Sequence, residues 1–96
     1  MAFISLFEFK TKPGEAQNFV LFLKRILPET REFSGSLGVT AAALGEEQFM
    51  VSVEWSELDA LERYLNWREE RGDFSQLLTF LEHEPKITTY QKLNNI

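Results

Sequence analysis

Between residues 64 and 73 the chain reads YLNWREERGD. At helical pitch Tyr64, Trp67, Arg68 and Arg71 stand at i, i+3, i+4 and i+7, so they share one stripe. Aromatic rings with a polar tip make flat apolar walls, and a guanidinium beside them is a fixed positive fork. Such a wall suits an aromatic, phenolic or enolisable small molecule that carries partial negative charge. The same four residues also fit a plainer reading: the stripe covers the edge of a core, and Arg–Glu pairs lace the helix surface. Both readings stand at this point.

Elsewhere, residues able to do chemistry are few. The only histidine, His83, lies in LEHEP near an expected helix end, flanked by acids, and reads as a solvated capping side chain. There is no cysteine. That removes disulfides, thiolate metal sites and thiol nucleophiles, and with a single histidine no His/Cys metal cluster can be drawn. The carboxylate pairs Glu46/Glu47, Glu69/Glu70 and Glu82/Glu84 are adjacent or nearly so, as on solvated turns and faces. Neither a Gly-rich phosphate loop nor a nucleophile elbow occurs.

Charge and composition narrow the class. A formal net charge of −5 without any run of lysine or arginine repels phosphate backbones, so nucleic acid is not an expected partner. With 44% hydrophobic and 26% charged residues the chain is globular rather than disordered, and 96 residues suit a single domain spanning 1–96. The opening MAFISLF has no basic stretch before it, and its apolar run is too short for a signal peptide or a membrane span. The expectation is a soluble, cytoplasmic protein with no membrane partner.

The elements that must position the 64–73 stripe follow from periodicity. Residues 3–10 alternate as a strand, Phe3, Ser5, Phe7 and Phe9 on one face and Ile4, Leu6, Glu8 and Lys10 on the other. After Lys12-Pro13-Gly14, a helical stripe runs through Ala16, Phe19, Val20, Leu23, Ile26 and Leu27, with a kink or break expected at Pro28. Leu37–Leu44 and Gln48–Trp55 read as a hairpin about Gly45-Glu46-Glu47. Ser56 and Asp59 form a capping pattern for a second helix, with Leu58, Leu61, Tyr64, Leu65 and Arg68 inward, closed by Gly72 in a left-handed cap. Asp73 and Gln76 repeat the capping pattern for a short helix, and Ile87–Leu93 form a last strand. The order β-α-β-β-α-(α)-β predicts an α+β, ferredoxin-like four-stranded antiparallel sheet with its helices on one face.

One sheet face, Phe7, Phe9, Val39, Phe49, Val51 and Val53, is core. The other mixes Ile4, Leu6, Ala42, Leu44 and Met50 with Thr40, Ser52 and Glu54, too apolar for a wet surface. A second copy pressed against it would bury it, so a homodimer is expected.

The run Phe49-Met50-Val51-Ser52-Val53-Glu54-Trp55-Ser56, followed by Leu58, Ala60 and Leu61, resembles the antibiotic biosynthesis monooxygenase family. The opening from Phe7 to Gly14 and the turn Gly35-Ser36-Leu37-Gly38 are similar to that family too, so the likeness covers nearly the whole chain. It implies a dimeric α+β barrel with a pocket between sheet and helices in each subunit. For activity, it implies cofactor-independent oxidation of an aromatic or polyketide-like molecule by O₂, with no metal and no flavin; other members degrade haem or have no known activity. Nine residues after Trp55, where many relatives carry histidine, stands Tyr64. Ser5, Leu6 and Phe7 occupy the strand where haem-degrading members use asparagine, so haem chemistry is not expected. On this reading Arg68 and Tyr64 are the catalytic candidates, stabilising developing negative charge and donating a hydrogen bond. Trp55, Trp67, Arg71 and Phe49 bind the substrate. Such chemistry also needs a proton acceptor, and none is assigned: Tyr64 suits donation, and Glu54 points to the opposite sheet face. The alternative from another class is a non-catalytic dimeric barrel that binds a ligand or serves assembly.

Overall fold

The computed structural model describes residues 1–96. Its elements are β1 (Phe3–Lys10), α1 (Ala16–Glu32), β2 (Ser36–Leu44), β3 (Gln48–Trp55), α2 (Asp59–Glu70), α3 (Asp73–Thr79) and β4 (Lys86–Gln91). The strands form one antiparallel sheet in the order β2-β3-β1-β4. This is the ferredoxin-like arrangement the periodicity predicts. No helix is long and apolar enough to cross a membrane.

Register fixes which side chains meet. Ser5 pairs with Val53, Phe7 with Val51 and Phe9 with Phe49, so the alternation in β1 and β3 lays one apolar face against the helices. Phe7, Phe9, Val51, Val53 and Trp55 are buried there. From α1, Phe19, Phe22, Leu23, Ile26, Leu27 and Thr30 are buried, a stripe at 3.6-residue spacing. Phe22 takes the inward place expected of Val20, which is half-buried. Completely enclosed, Phe19 meets Phe9 and Phe49 with ring centroids 5.2 Å away in each case.

Three local expectations are corrected. Pro28 neither breaks nor ends α1, which continues to Glu32. Pro28 is exposed, so the carbonyl one turn earlier that loses its N–H partner can bond water instead. Ser56 and Asp59 do not make a capping box: α2 starts at Asp59 without a side-chain cap. Arg63 instead holds Glu57, at 2.6 Å, and Asp59, at 3.9 Å. Nor does Asp73 cap α3; its carboxylate is engaged elsewhere, as described below. Gly72 does adopt the expected left-handed conformation (φ 79°), and this turn sets α3 against α2.

Candidate functional site

Between the sheet and the three helices lies a cavity of about 50 Å³. Phe7, Phe9, Val51 and Val53 floor it; Phe22, Ile26, Leu27 and Thr30 of α1 form one side, and Tyr64, Leu65, Arg68, Asp73, Phe74 and Leu77 the other. Its polar wall residues are therefore Thr30, Tyr64, Arg68 and Asp73, and only the last two are charged.

Arg68 organises that wall. With 3% of its side chain exposed, its five N–H groups have five partners. Nε donates to the Tyr64 hydroxyl (3.0 Å). Nη1 donates to Asp73 Oδ2 (2.8 Å) and to Glu29 Oε1 (3.0 Å). Nη2 donates to the Ile26 carbonyl (2.8 Å) and to Thr30 Oγ1 (3.0 Å). A buried guanidinium is tolerated only when its donors and charge are answered, and here both are. Burial works against the charged form, yet the Tyr64 hydroxyl and the Asp73 and Glu29 carboxylates raise the Arg68 pKa overall.

Arg71 extends the cluster. Its Nη2 donates to Glu29 Oε2 (3.0 Å), and its Nε lies 3.3 Å from Asp73 Oδ2. Both guanidiniums lie over the Trp67 ring, at 4.6 and 4.7 Å from its centroid. Two cations and two carboxylates thus alternate around the outer edge of the cavity and join α1, α2 and the start of α3. Glu29 feels this as well. The hydrogen bond from Arg68 lowers its pKa below 4.5 against the opposing effect of desolvation, and Arg71 adds to the lowering.

Tyr64, Trp67, Arg68 and Arg71 are thus brought together as their spacing predicts, Tyr64 and Arg68 buried, Trp67 half-buried and Arg71 exposed. Tyr64 is buried, 7% exposed, because its hydroxyl finds Thr30 Oγ1 at 2.8 Å as well as Arg68. Trp55 is completely enclosed, with its Nε1 donating to Ser5 Oγ (3.1 Å) and its ring 5.4 Å from that of Tyr64. Phe33 packs against Trp55, Tyr64 and Trp67. Phe49 stands apart from them, in the Phe19 cluster. Of the six candidates only Tyr64 and Arg68 line the cavity. Sequence reasoning missed Thr30, Glu29 and Asp73. A threonine interrupting an apolar helical stripe was a signal for Thr30; for Glu29 there was none.

No protein-family model matches the sequence, and no curated protein sequence matches it. Solved structures do. A conserved protein from Methanosarcina mazei superposes with a TM-score of 0.87 at 21% identity, covering 97% of this chain and 94% of the other. A protein from Deinococcus radiodurans, assigned by name to the antibiotic biosynthesis monooxygenases, gives 0.86 at 21% identity over 98% and 95%. The ActVA-Orf6 monooxygenase of Streptomyces coelicolor, in complex with nanaomycin D, gives 0.78 at 18% identity over 99% and 90%. The chain has the fold of the antibiotic biosynthesis monooxygenases. At these identities the monooxygenase likeness is one of fold, and the chemistry must be argued from the side chains above.

Two outcomes follow from the cluster. Arg68→Met leaves the Asp73 carboxylate, the Tyr64 hydroxyl and the Ile26 carbonyl short of a donor, and should cost about 3–5 kcal/mol in urea unfolding. Arg68→Lys keeps the charge but only three donors, so it should lie between wild type and Arg68→Met. A depressed Glu29 pKa stabilises the fold above the ordinary 4.5, and that contribution disappears as pH falls through the lower folded value. Glu29→Gln should therefore flatten the acid limb of stability against pH; an unchanged limb would rule out this role.

Proposed function

We propose that the protein is a cofactor-independent monooxygenase acting on an aromatic or enolisable small molecule held in the sheet–helix cavity. One observation carries the reading: in a monooxygenase fold, an otherwise apolar cavity has its four polar wall residues, Thr30, Tyr64, Arg68 and Asp73, joined in one hydrogen-bonded cluster. An apolar substrate body would lie against Phe7, Phe9, Val51 and Val53, with its oxygen toward Tyr64. At about 50 Å³ the cavity takes only a few atoms, so a ring is accommodated when Phe74 and Leu77, on short α3, swing outward.

Such a substrate is its own electron donor. A methylene activated by neighbouring rings and a carbonyl loses a proton, and the carbanion reduces O₂. A carbon–peroxide bond forms and then loses water to leave a ketone, one oxygen atom ending in product and one in water. The protein supplies a dry site and hydrogen bonds to the oxygen on which negative charge develops. With every Arg68 N–H engaged, the donor to that oxygen is Tyr64. The Thr30–Tyr64 bond can run in either direction. When Thr30 donates, the Tyr64 oxygen accepts from both Thr30 and Arg68, and its own O–H is free for substrate. Arg68 acts as a positioning residue that holds and polarises this phenol, while Trp55 and Trp67 support its ring from outside the cavity.

The closed network of Arg68 favours one rival: a structural lock in a non-catalytic barrel that binds a ligand or serves assembly. Oxygen uptake separates the two. With 1,8-dihydroxyanthrone, naphthols and hydroquinones as a panel and the protein stripped of metal, the enzyme reading expects saturable uptake. Tyr64→Phe should lower it by about 10²-fold, the loss typical of one oxyanion donor. Uptake no faster than the uncatalysed rate across the panel would favour the lock.

We infer, further, that the outer sheet face is covered by a second copy of the chain. Leu44 and Tyr90 are 74% and 54% exposed there, beside half-buried Ile4, Leu6 and Met50. Light scattering should give twice the 11.2 kDa chain mass, with Met50→Glu shifting it to the monomer. A monomer at all concentrations, or a dimer untouched by Met50→Glu, would contradict this.

A further inference from the structure

We propose that Asp73 is the proton acceptor of this site. The inference rests on the oxygenase reading above and assigns the one step that reading leaves without a residue. Asp73 is the only acid on the cavity wall, and it is 9% exposed. A carboxylate buried to that degree normally has both oxygens satisfied. Here the two differ. Oδ2 carries both guanidiniums, Arg68 at 2.8 Å and Arg71 at 3.3 Å, whereas Oδ1 has no hydrogen-bond partner in the protein. The one fully buried side-chain polar atom without a partner is Ser36 Oγ. Oδ1 is therefore not sealed into apolar packing; it keeps accessible surface on a residue that lines the cavity.

Local structure explains why this carboxylate is so placed. Asp73 opens α3, where an acid ordinarily serves the free amides of the first turn, yet its carboxylate bonds Arg68. The left-handed turn at Gly72 (φ 79°) presents it to Arg68 and Arg71 instead. One oxygen is anchored by two cations and the other is left with its lone pairs unused, so Oδ1 is the oxygen available to take a proton. The neighbouring acids lack it. Both oxygens of Glu29 are taken, Oε1 by Arg68 and Oε2 by Arg71. Glu54, on the outer sheet face, pairs with Lys92.

In the step itself, the substrate's activated C–H bond breaks, the electron pair stays on the substrate, and the proton goes to Oδ1. The carbanion passes one electron to O₂, and the resulting radical and superoxide join as a carbon–peroxide anion. Asp73 returns its proton to the outer peroxide oxygen, which restores the carboxylate before water is lost. Asp73 is neutral only between the two transfers. The groups facing it through that change are Arg68 of α2, Arg71 at the end of α2, and Glu29 of α1, which shares both cations; Tyr64 and Thr30 complete the network.

The test is oxygen uptake with 1,8-dihydroxyanthrone as a function of pH, on wild type, Asp73→Asn and Asp73→Ala, with circular dichroism confirming the fold of each. Asp73→Asn should lower kcat by at least about 100-fold, as loss of a positioned base does, with KM little changed and the acid limb of the pH profile lost. In Asp73→Ala, formate and acetate should restore rate in order of their basicity, a rescue that a merely structural ion pair would not show. A folded Asp73→Asn with kcat within a few-fold of wild type would overturn the proposal. So would an Asp73→Ala enzyme whose rate ignores added carboxylates, and this arm decides the matter if Asp73→Asn does not fold. A wild type that is itself inert would instead bring down the oxygenase reading, and the assignment of Asp73 with it.

Discussion

The arrangement depends on Arg68. A guanidinium has five N–H groups in a rigid plane, and in this protein they reach a phenol, two carboxylates, a backbone carbonyl and a threonine hydroxyl. Those partners belong to α1, α2 and the first residue of α3. Hydrophobic burial alone presses helices onto a sheet without choosing their rotation closely. The fork of Arg68 adds five directional contacts that tie α1, α2 and the start of α3 together.

The cavity follows from that placement. Two aromatic groups reach it: Phe9, Phe19, Phe22, Phe49 and Phe80 pack together, with Phe9 and Phe22 on its lining, and Phe33, Trp55, Tyr64 and Trp67 pack together, with Tyr64 on its lining. Rings this large and stiff do not collapse freely into the space between them. The helices are meanwhile held by the Arg68 and Arg71 contacts to Glu29 and Asp73. What remains is a small, mostly apolar hollow with one polar cluster on its lining, and that cluster belongs to the residues that tie the helices together. On the proposed reading, stability and chemistry are drawn from one set of side chains.

Much of this was legible in the sequence. Alternation in residues 3–10 and 48–55 placed Ser5, Phe7, Phe9, Val51, Val53 and Trp55 on the core face, because a period of two leaves no freedom once one face is apolar. Helical spacing placed Arg68 inward and in line with Tyr64, Trp67 and Arg71. The partners of Arg68 were not legible. Glu29 and Thr30 lie 39 and 38 residues from it, and their convergence is set by how α1 packs, which no local pattern reports. Asp73 carried a misleading local pattern, since an acid before a short helix reads as a cap until an arginine is found to compete for it. Tyr64 was legible as one of the inward residues of α2, but not the partners that Thr30 and Arg68 supply to its hydroxyl inside the protein. Pro28 failed as a breaker because it falls on the exposed side of α1, where water replaces the lost hydrogen bond.

The central claim is that the hollow beside Tyr64, Arg68 and Asp73 receives a small aromatic molecule. Methyl-resolved NMR during titration with 1,8-dihydroxyanthrone under anaerobic conditions tests it most directly, since binding is read without turnover. The account expects saturable shifts at Ile26, Leu27, Val51, Val53, Leu65 and Leu77, the methyl-bearing aliphatic residues of the cavity wall. Shifts confined to Leu6, Leu44 and Met50 on the outer sheet face, or no saturable shift anywhere, would contradict it.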